Sequence, residues 1–514
     1  MTDLLSFKGG INWRLPAYAL PKDQCVYLQN LRVSNEYVES MPGTIKFHNT
    51  SLGSDPITAI IPHYGDDDVS REVLVASGDS IYKRDEAANT MTSLKTNLVP
   101  NRIISSASRH GVTYIASDED LLMKYLGGNQ IEEVGGGSTR PGPYQIILYM
   151  KEVDRMFGIR HKSVKGQIGW SDLSDPENWD PANVDRIKLQ DGEITETGEF
   201  LYGKLILFNT YSIWIYYVNG NPENWRLEQA PTTVGIRAIK TLKRVGNELW
   251  FLGDSPRTGV GIYAFNGSTT RLLTDDVQPL MDRINSENIE DCAAEYHDGL
   301  YTLSFPLDFA TQNSHSIDLD TKNLKEDGVP AIYGPHTVYF NCSAVLNTRQ
   351  YGGQHLLGDP SDGFVYREGG MSFKSGNDGI DGQLLQGRFL SGIYNDGSWD
   401  VMKFYERFGV HFIPRGFFNV RLRAYFSYAS YAREHDFPPD ASVHYISGNF
   451  NVVEDRVLGG PQLAQHIHNG GINDKGVSIQ FELLNDVIHP FAFQGVFYDK
   501  SDLYQTRKVQ LYAS

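Results

Sequence analysis

Short strands that carry an aromatic residue just after a polar turn recur along this chain at a nearly constant spacing. They are GDSIYKRD with Tyr82, EDLLMKYLGG with Tyr125, GQIGWSD with Trp170, YSIWIYYVNG with Tyr216 and GVGIYAFNG with Tyr263, at steps of 43, 45, 46 and 47 residues. A fixed period of this size marks a supersecondary unit that buries its faces only by packing on its neighbours. DGFVYREGG with Tyr366 lies 103 residues beyond Tyr263, which leaves room for two longer units if SHSIDLDTKN around Ile317 supplies the one between. The period predicts an all-β chain whose residues 51–375 form a β-propeller of about six to seven four-stranded blades. A long sandwich or a solenoid is the alternative.

Local pattern and composition agree. Aromatic residues make up 12% of the 514 residues and glycine reaches 50, a balance suited to short strands joined by tight turns. Within RHGVTYIASDEDLLMKY the pattern places strands at Val112–Ala116 and Leu121–Tyr125, and RVGNELWFLGDS and YHDGLYTLSFP put Gly-Asn and Asp-Gly turns before aromatic strands. The tetrapeptide Pro-Glu-Asn-Trp occurs twice, ending at Trp179 and at Trp225, 46 residues apart. It reads as the same inter-strand corner in adjacent blades, with each Trp a plate for blade packing; stacking on a glycan is the other use such a ring could have.

After Tyr366 the text REGGMSFKSGNDGIDGQ is Gly-rich and polar, which predicts a boundary near Ser375. Beyond it, FFNVRLRAYFSY alternates Phe418, Val420, Leu422, Ala424 and Phe426 with Asn419, Arg421, Arg423 and Tyr425, and VSIQFELL alternates in the same way from Val477 to Leu483. One buried and one wet face predict that residues 380–514 form a C-terminal antiparallel β-sandwich-like domain. Residues 1–50 read as an extended segment, either an arm that docks on another subunit through Trp13, Arg14 and Tyr18 or a strand tucked against the same chain's C-terminal domain.

The formal charge of −17 argues against a general phosphate-binding surface. Cys25, Cys292 and Cys342 lie far apart, without disulfide-framework or zinc spacing. The start of the chain lacks the pattern of a signal peptide, and LILFNTYSIWIYYV, Leu205 to Val218, reads as two strands and a turn. Nucleophile-elbow, phosphate-loop and zinc-helix motifs do not occur. His466 and His468 could share a metal on one strand face but lack a nameable third ligand, and Asp66, Asp67 and Asp68 read as a solvated turn. No catalytic residue, cofactor or metal site is expected.

The opening FKGGINWRLPAYALPKDQCVYLQNLRVSNEYVESMPGT carries Gly9, Gly10 and Asn12, then Arg14 and Leu15, Leu20 and Pro21, Asn30 and Arg32, and Pro42 and Gly43. This series resembles the N-terminus of the podovirus tail nozzle or packaged-DNA stabilisation proteins, the tail tubular protein B group. Text from YSIWIYYVNGNPENW to GVGIYAFNG is similar to the central propeller of the same group, so the likeness covers roughly residues 5–60 and 140–275. The resemblance implies a structural, non-enzymatic virion protein of a bacteriophage tail. It would be a homo-hexamer below portal and adaptor that retains packaged DNA, conducts it during ejection without sequence-specific binding, and meets tail fibre or needle proteins and the host cell surface. An acidic wall suits a conduit, because it repels phosphate.

A glycan-binding or glycan-cleaving propeller acting on the bacterial surface stays open as the alternative. WSDLSDPENW resembles in part the Asp-containing blade turn of sialidase-like hydrolases, although it lacks the Gly and Thr of such a turn.

Overall fold

The computed structural model describes residues 7–34, 37–66, 71–117, 119–135, 140–190, 192–348, 352–370, 372–376, 382–399, 401–413, 420–427, 432–437, 466–485 and 492–505. Described regular structure is almost all β, arranged in many small antiparallel sheets. Seven of these arise from consecutive strands. Sheet 1 opens at Ile57–Tyr64, sheet 2 at Ser105–Arg109, sheet 3 at Tyr144–Met150, sheet 4 at Thr195–Leu201, sheet 5 at Gly235–Ile236, sheet 6 at Ala293–His297 and sheet 7 at Cys342–Thr348. In sheet 5 the opening strand is broken, since Gly235–Ile236 and Lys243–Val245 pair with different halves of Glu248–Ser255.

The repeating aromatics fall on the third strand of their sheets. Tyr82 lies in Ser80–Asp85, Tyr125 in Met123–Tyr125, Trp170 in Gln167–Trp170 and Tyr216 in Ile213–Tyr217. Tyr263 follows in Gly259–Phe265, Ile317 in His315–Leu324 and Tyr366 in Val365–Glu368. Opening strands also pack in sequence. Ile57–Tyr64 meets Ser105–Arg109, which meets Tyr144–Met150, then Thr195–Leu201, Glu248–Ser255 and, through Lys243–Val245, Ala293–His297. That strand meets Cys342–Thr348, which packs back on Ile57–Tyr64. A separate apolar cluster fills each gap between adjacent sheets from sheet 7 round through sheet 1 to sheet 5, and another lies between sheets 6 and 7.

Residues 7–46 are woven through the rest of the chain. Thr44–Lys46 is the fourth strand of sheet 7, antiparallel to Val365–Glu368. Gly10–Ile11 runs parallel to both Gln24–Gln29 and the outer strand of sheet 6, Pro330–His336. Gly10 has φ +75, and a Cβ there would lie 2.4 Å from the Ile332 carbonyl oxygen, so only glycine allows this insertion. Leu31–Ser34 and Tyr37–Ser40 join a five-stranded sheet with Ala492–Gln505, Val401–Ile413 and His466–Gly476.

Sheet 6 continues into a ten-stranded sheet, through Gly10–Ile11 and Gln24–Gln29 to Gly387–Ser391, Ile479–Asn485, Val420–Phe426 and Arg433–Phe437. This sheet and the five-stranded one face each other across one core, with Tyr405 against Phe426 at 5.4 Å and Phe481 against Tyr498 at 5.4 Å between ring centres. Val420, Leu422, Ala424 and Phe426 are buried, and so are Val477, Ile479, Phe481 and Leu483; Phe418 and Asn419 lie outside the described residues. The change of pattern near Ser375 therefore does not interrupt the sheet, which runs from sheet 6 into the C-terminal strands.

Candidate functional site

The series running from Gly9 to Gly43 marks the places where the N-terminal segment is stitched down. Asn12 Oδ1 accepts the N–H groups of Arg14 and Leu15, both at 3.0 Å, and its amide donates to Gln24 Oε1 at 3.0 Å. Asn30, in the left-handed region at φ 54, accepts the Thr337 N–H at 2.8 Å and donates Nδ2 to the Gln386 carbonyl at 3.0 Å. Asparagine tolerates that backbone better than most residues and supplies both bonds at once. A Cβ on Gly43 would lie 2.1 Å from the Ser372 carbonyl oxygen.

Arg32 is the hub. Its Nε donates to Asp318 Oδ2 at 2.6 Å and its Nη1 to Glu368 Oε1 at 2.9 Å, which joins the N-terminal segment to sheets 6 and 7. Thr302 Oγ1 donates to Asp318 Oδ1 at 2.6 Å, and the His355 Nδ1 to Glu368 Oε2 distance is 3.2 Å. The Asn30 N–H donates to His336 Nδ1 at 3.0 Å, which leaves the ring proton on Nε2, a long 3.4 Å from Asp318 Oδ2. Burial opposes the charge on each member, yet the Arg32 guanidinium and the histidine contacts outweigh it and hold Asp318 well below the usual carboxylate range and Glu368 down at about 2. Burial likewise works against the Arg32 charge, and the two carboxylates more than offset it.

Arg32, Thr302, His355 and Glu368 of this cluster line a cavity of about 730 Å³, whose wall also includes Ser34, Glu39, His297, Asp320 and Lys322. The cluster's charges are paired with one another, so the arrangement locks three parts of the chain together. Among the described residues no group of three His, Cys, Asp or Glu side chains is placed to hold a metal ion. The side chains of His466 and His468 lie outside the described residues, as do Asp67 and Asp68.

Both Pro-Glu-Asn-Trp corners connect the third and fourth strands of their sheets. Trp179 is 4% exposed, stacks on Tyr144 at 5.7 Å, and shares a cluster with Tyr114, Ala116 and Leu122 of sheet 2. Trp225 packs on Phe157 and Trp170 of sheet 3, at 5.7 and 5.0 Å. Each ring thus packs on the preceding sheet, and each indole N–H closes its own corner, Trp179 on the Pro176 carbonyl at 2.8 Å and Trp225 on the Asn219 carbonyl at 3.2 Å. Glu177 adds a 2.8 Å ion pair to Lys124 of sheet 2.

The side chains of Trp13, Arg14 and Tyr18 have separate partners. The Trp13 indole donates to the Val26 carbonyl at 2.6 Å and its ring meets Tyr27 edge-on; Arg14 pairs with Asp275. Tyr18 is 62% exposed and its ring sits 6.2 Å from that of Trp399, itself 49% exposed, with Leu15 exposed nearby in sequence.

Sequence reasoning singled out Arg32 but not its partners Asp318, Glu368, His336 and His355, which lie hundreds of residues away without a shared motif.

No protein-family model matches the sequence, and no curated protein does. A solved structure similar to part of it is the extracellular domain of a protein assigned to the hybrid two-component systems, from B. thetaiotaomicron, at 8% identity and a TM-score of 0.28. That match covers 63% of this chain and 52% of the other, so the chain spans about half the length of the structure it matches.

Proposed function

We infer that this chain is a structural, non-enzymatic subunit of a bacteriophage tail, assembling as a hexameric nozzle ring that retains and then conducts DNA. The observation that carries the reading is the stitching role of the motif residues. Gly10, Asn30, Arg32 and Gly43, among the residues that carry the resemblance to the tail nozzle group, each sit where the N-terminal segment is fastened to sheets 6 and 7 or to the chain that follows them, and Asn12 ties the segment to itself through Gln24. A likeness that includes such residues supports a likeness of architecture, because these positions fix how the chain is threaded.

Within this reading the seven sheets are the blades of a propeller, and Thr44–Lys46 completes the last blade from the other end of the chain. The facing sheets at the C-terminal end form the sandwich-like domain. Tyr18 and Trp399 are the exposed aromatic pair from which a subunit contact would start. The net charge of −17 suits a wall that lets DNA pass without holding it.

Electron microscopy of the protein, alone and mixed with a portal–adaptor complex, tests this. Six-fold rings with a central bore are expected; isolated monomers under every assembly condition would overturn it. The glycan-acting alternative draws no support from Trp179 and Trp225, whose rings are taken up by neighbouring sheets.

A further inference from the structure

A second cavity, of about 410 Å³, opens where the entering segments of six of the seven sheets converge. Its wall includes Thr58 of sheet 1, Gln145 and Arg160 of sheet 3, Lys240 before the Lys243–Val245 strand, Asp291 before sheet 6 and Asn341 before sheet 7. We propose that this cavity binds a small monoanionic, hydroxylated carboxylate of the uronate type. The inference is independent of the tail reading.

Three features carry it. Lys240 donates from Nζ to the Asn341 carbonyl at 2.9 Å and to Asn341 Oδ1 at 3.0 Å, which leaves one N–H of the ammonium unspent. Among the described residues no carboxylate comes within ion-pair reach of it, and burial pulls its pKa below the ordinary lysine value, with Asp291 only partly opposing that shift. A carboxylate arriving in the cavity would supply the missing counter-charge. Second, Gln145 on the cavity wall is 4% exposed and its Oε1 is buried with no hydrogen-bond donor; a turn of the side chain toward the cavity would let a ligand hydroxyl satisfy that acceptor.

Third, the charge balance selects one negative charge. Arg160 is paired with Glu196 at 2.6 Å and Arg102, also on the wall, with Glu119 at 3.5 Å, so both charges are largely spent and Lys240 is left without a carboxylate. Glu290 and Asp291 on the wall repel a dianion such as phosphate and accept from hydroxyls instead. The volume lies in the range of small-molecule sites and holds one or two sugar units. Among the described residues the wall is mostly polar and contains no aromatic ring, which disfavours a flat apolar ligand.

Isothermal titration of the full chain with D-glucuronate, D-glucose, acetate and sulfate tests the proposal. Glucuronate is expected to bind at least ten-fold more tightly than any of the other three. Gln145→Leu is expected to fold as well as the parent or better, since it removes an unsatisfied buried acceptor, while weakening glucuronate about ten-fold. Lys240→Met is expected to abolish binding, with circular dichroism to establish that it has folded. Competition by a uronate-terminated oligosaccharide would assign the ligand to a polymer end, and its failure alongside glucuronate binding to a free acid. No glucuronate binding, equal binding of acetate or sulfate, or unchanged affinity in Gln145→Leu would overturn the proposal.

Discussion

The seven meander sheets and the C-terminal pair of facing sheets are both mainly antiparallel β-structure around apolar cores, yet they are specified in opposite ways. Each meander pairs strands that follow one another in sequence, apart from the fourth strand of sheet 7, so turn chemistry and a local aromatic define most of it. The C-terminal sheets are assembled from strands hundreds of residues apart: Gln24–Gln29 pairs with Gly387–Ser391, and Tyr37–Ser40 with Ala492–Gln505. A non-local assembly depends on a few fastening residues, and the largest effects are expected there.

Arg32→Met should be the most damaging single change. It would leave Asp318 and Glu368 buried without their shared cation, and removing one partner of a buried ion pair costs about 3–5 kcal/mol. Urea unfolding should show a large fall in midpoint and separate the C-terminal sheets from the meanders; a change below about 1 kcal/mol would show that the cluster fastens nothing. The same site can be weakened without mutation. Glu368 in the folded chain titrates at about 2, against about 4.3 for an unfolded glutamate, so the unfolded state takes up its proton first as the pH falls. Its stabilising contribution is therefore complete above about pH 5 and lost between there and pH 2. Stability measured from pH 7 to 2 should show this loss in that acid window, with Asp318 acting in the same direction, below an earlier decline from about pH 6.5 caused by histidines such as His48, which burial holds down at about 4.

Trp225→Ala breaks a local unit instead. Loss of a large ring packed between sheets 3 and 4 should cost about 3 kcal/mol. Hydrogen exchange should then quicken in Gln167–Trp170 and Ile213–Tyr217 while Ile479–Asn485 stays protected. Faster exchange spread over the C-terminal strands would mean that the two regions are less separable than their wiring suggests.

That contrast also sets what can be read in the sequence. The period that placed Tyr82, Tyr125, Trp170, Tyr216 and Tyr263 also placed their sheets, because strand, turn and strand lie within one window. Alternation at Val420 to Phe426 gave the buried face correctly, since a period of two needs no knowledge of the partner strand. Nothing local announces that Thr44–Lys46 belongs to sheet 7 or that Gly10–Ile11 is inserted beside Ile332. Lys240, Gln145 and Arg160 read as ordinary positions for the same reason, as their cavity exists only after six sheets have converged.

Gly10→Ala sharpens the comparison at intermediate size. A Cβ 2.4 Å from the Ile332 carbonyl oxygen, on a residue at φ +75, forces either the inserted strand or sheet 6 to shift, at a cost of about 2 kcal/mol. Thermal unfolding followed by tryptophan fluorescence would report this through Trp13, whose indole is anchored on Val26 in the adjacent strand. An unchanged transition would show that the insertion is dispensable for the C-terminal assembly.

The smallest effect should come from the wet face of the non-local sheet, where fastening and surface charge must be told apart. Arg421 donates to Asp436 at 2.8 Å and Arg423 to Glu434 at 2.7 Å, pairs across neighbouring strands with at least one partner half exposed. Solvent screens such pairs, and Arg421→Gln should change unfolding free energy by less than about 1 kcal/mol, with the difference shrinking further in added salt. Arg32 makes the same kind of bond at similar distances, but to a carboxylate that is fully buried. If Arg421→Gln cost as much as Arg32→Met, burial would not be what separates fastening residues from surface pairs, and the contrast between the two regions would have to rest on strand order alone.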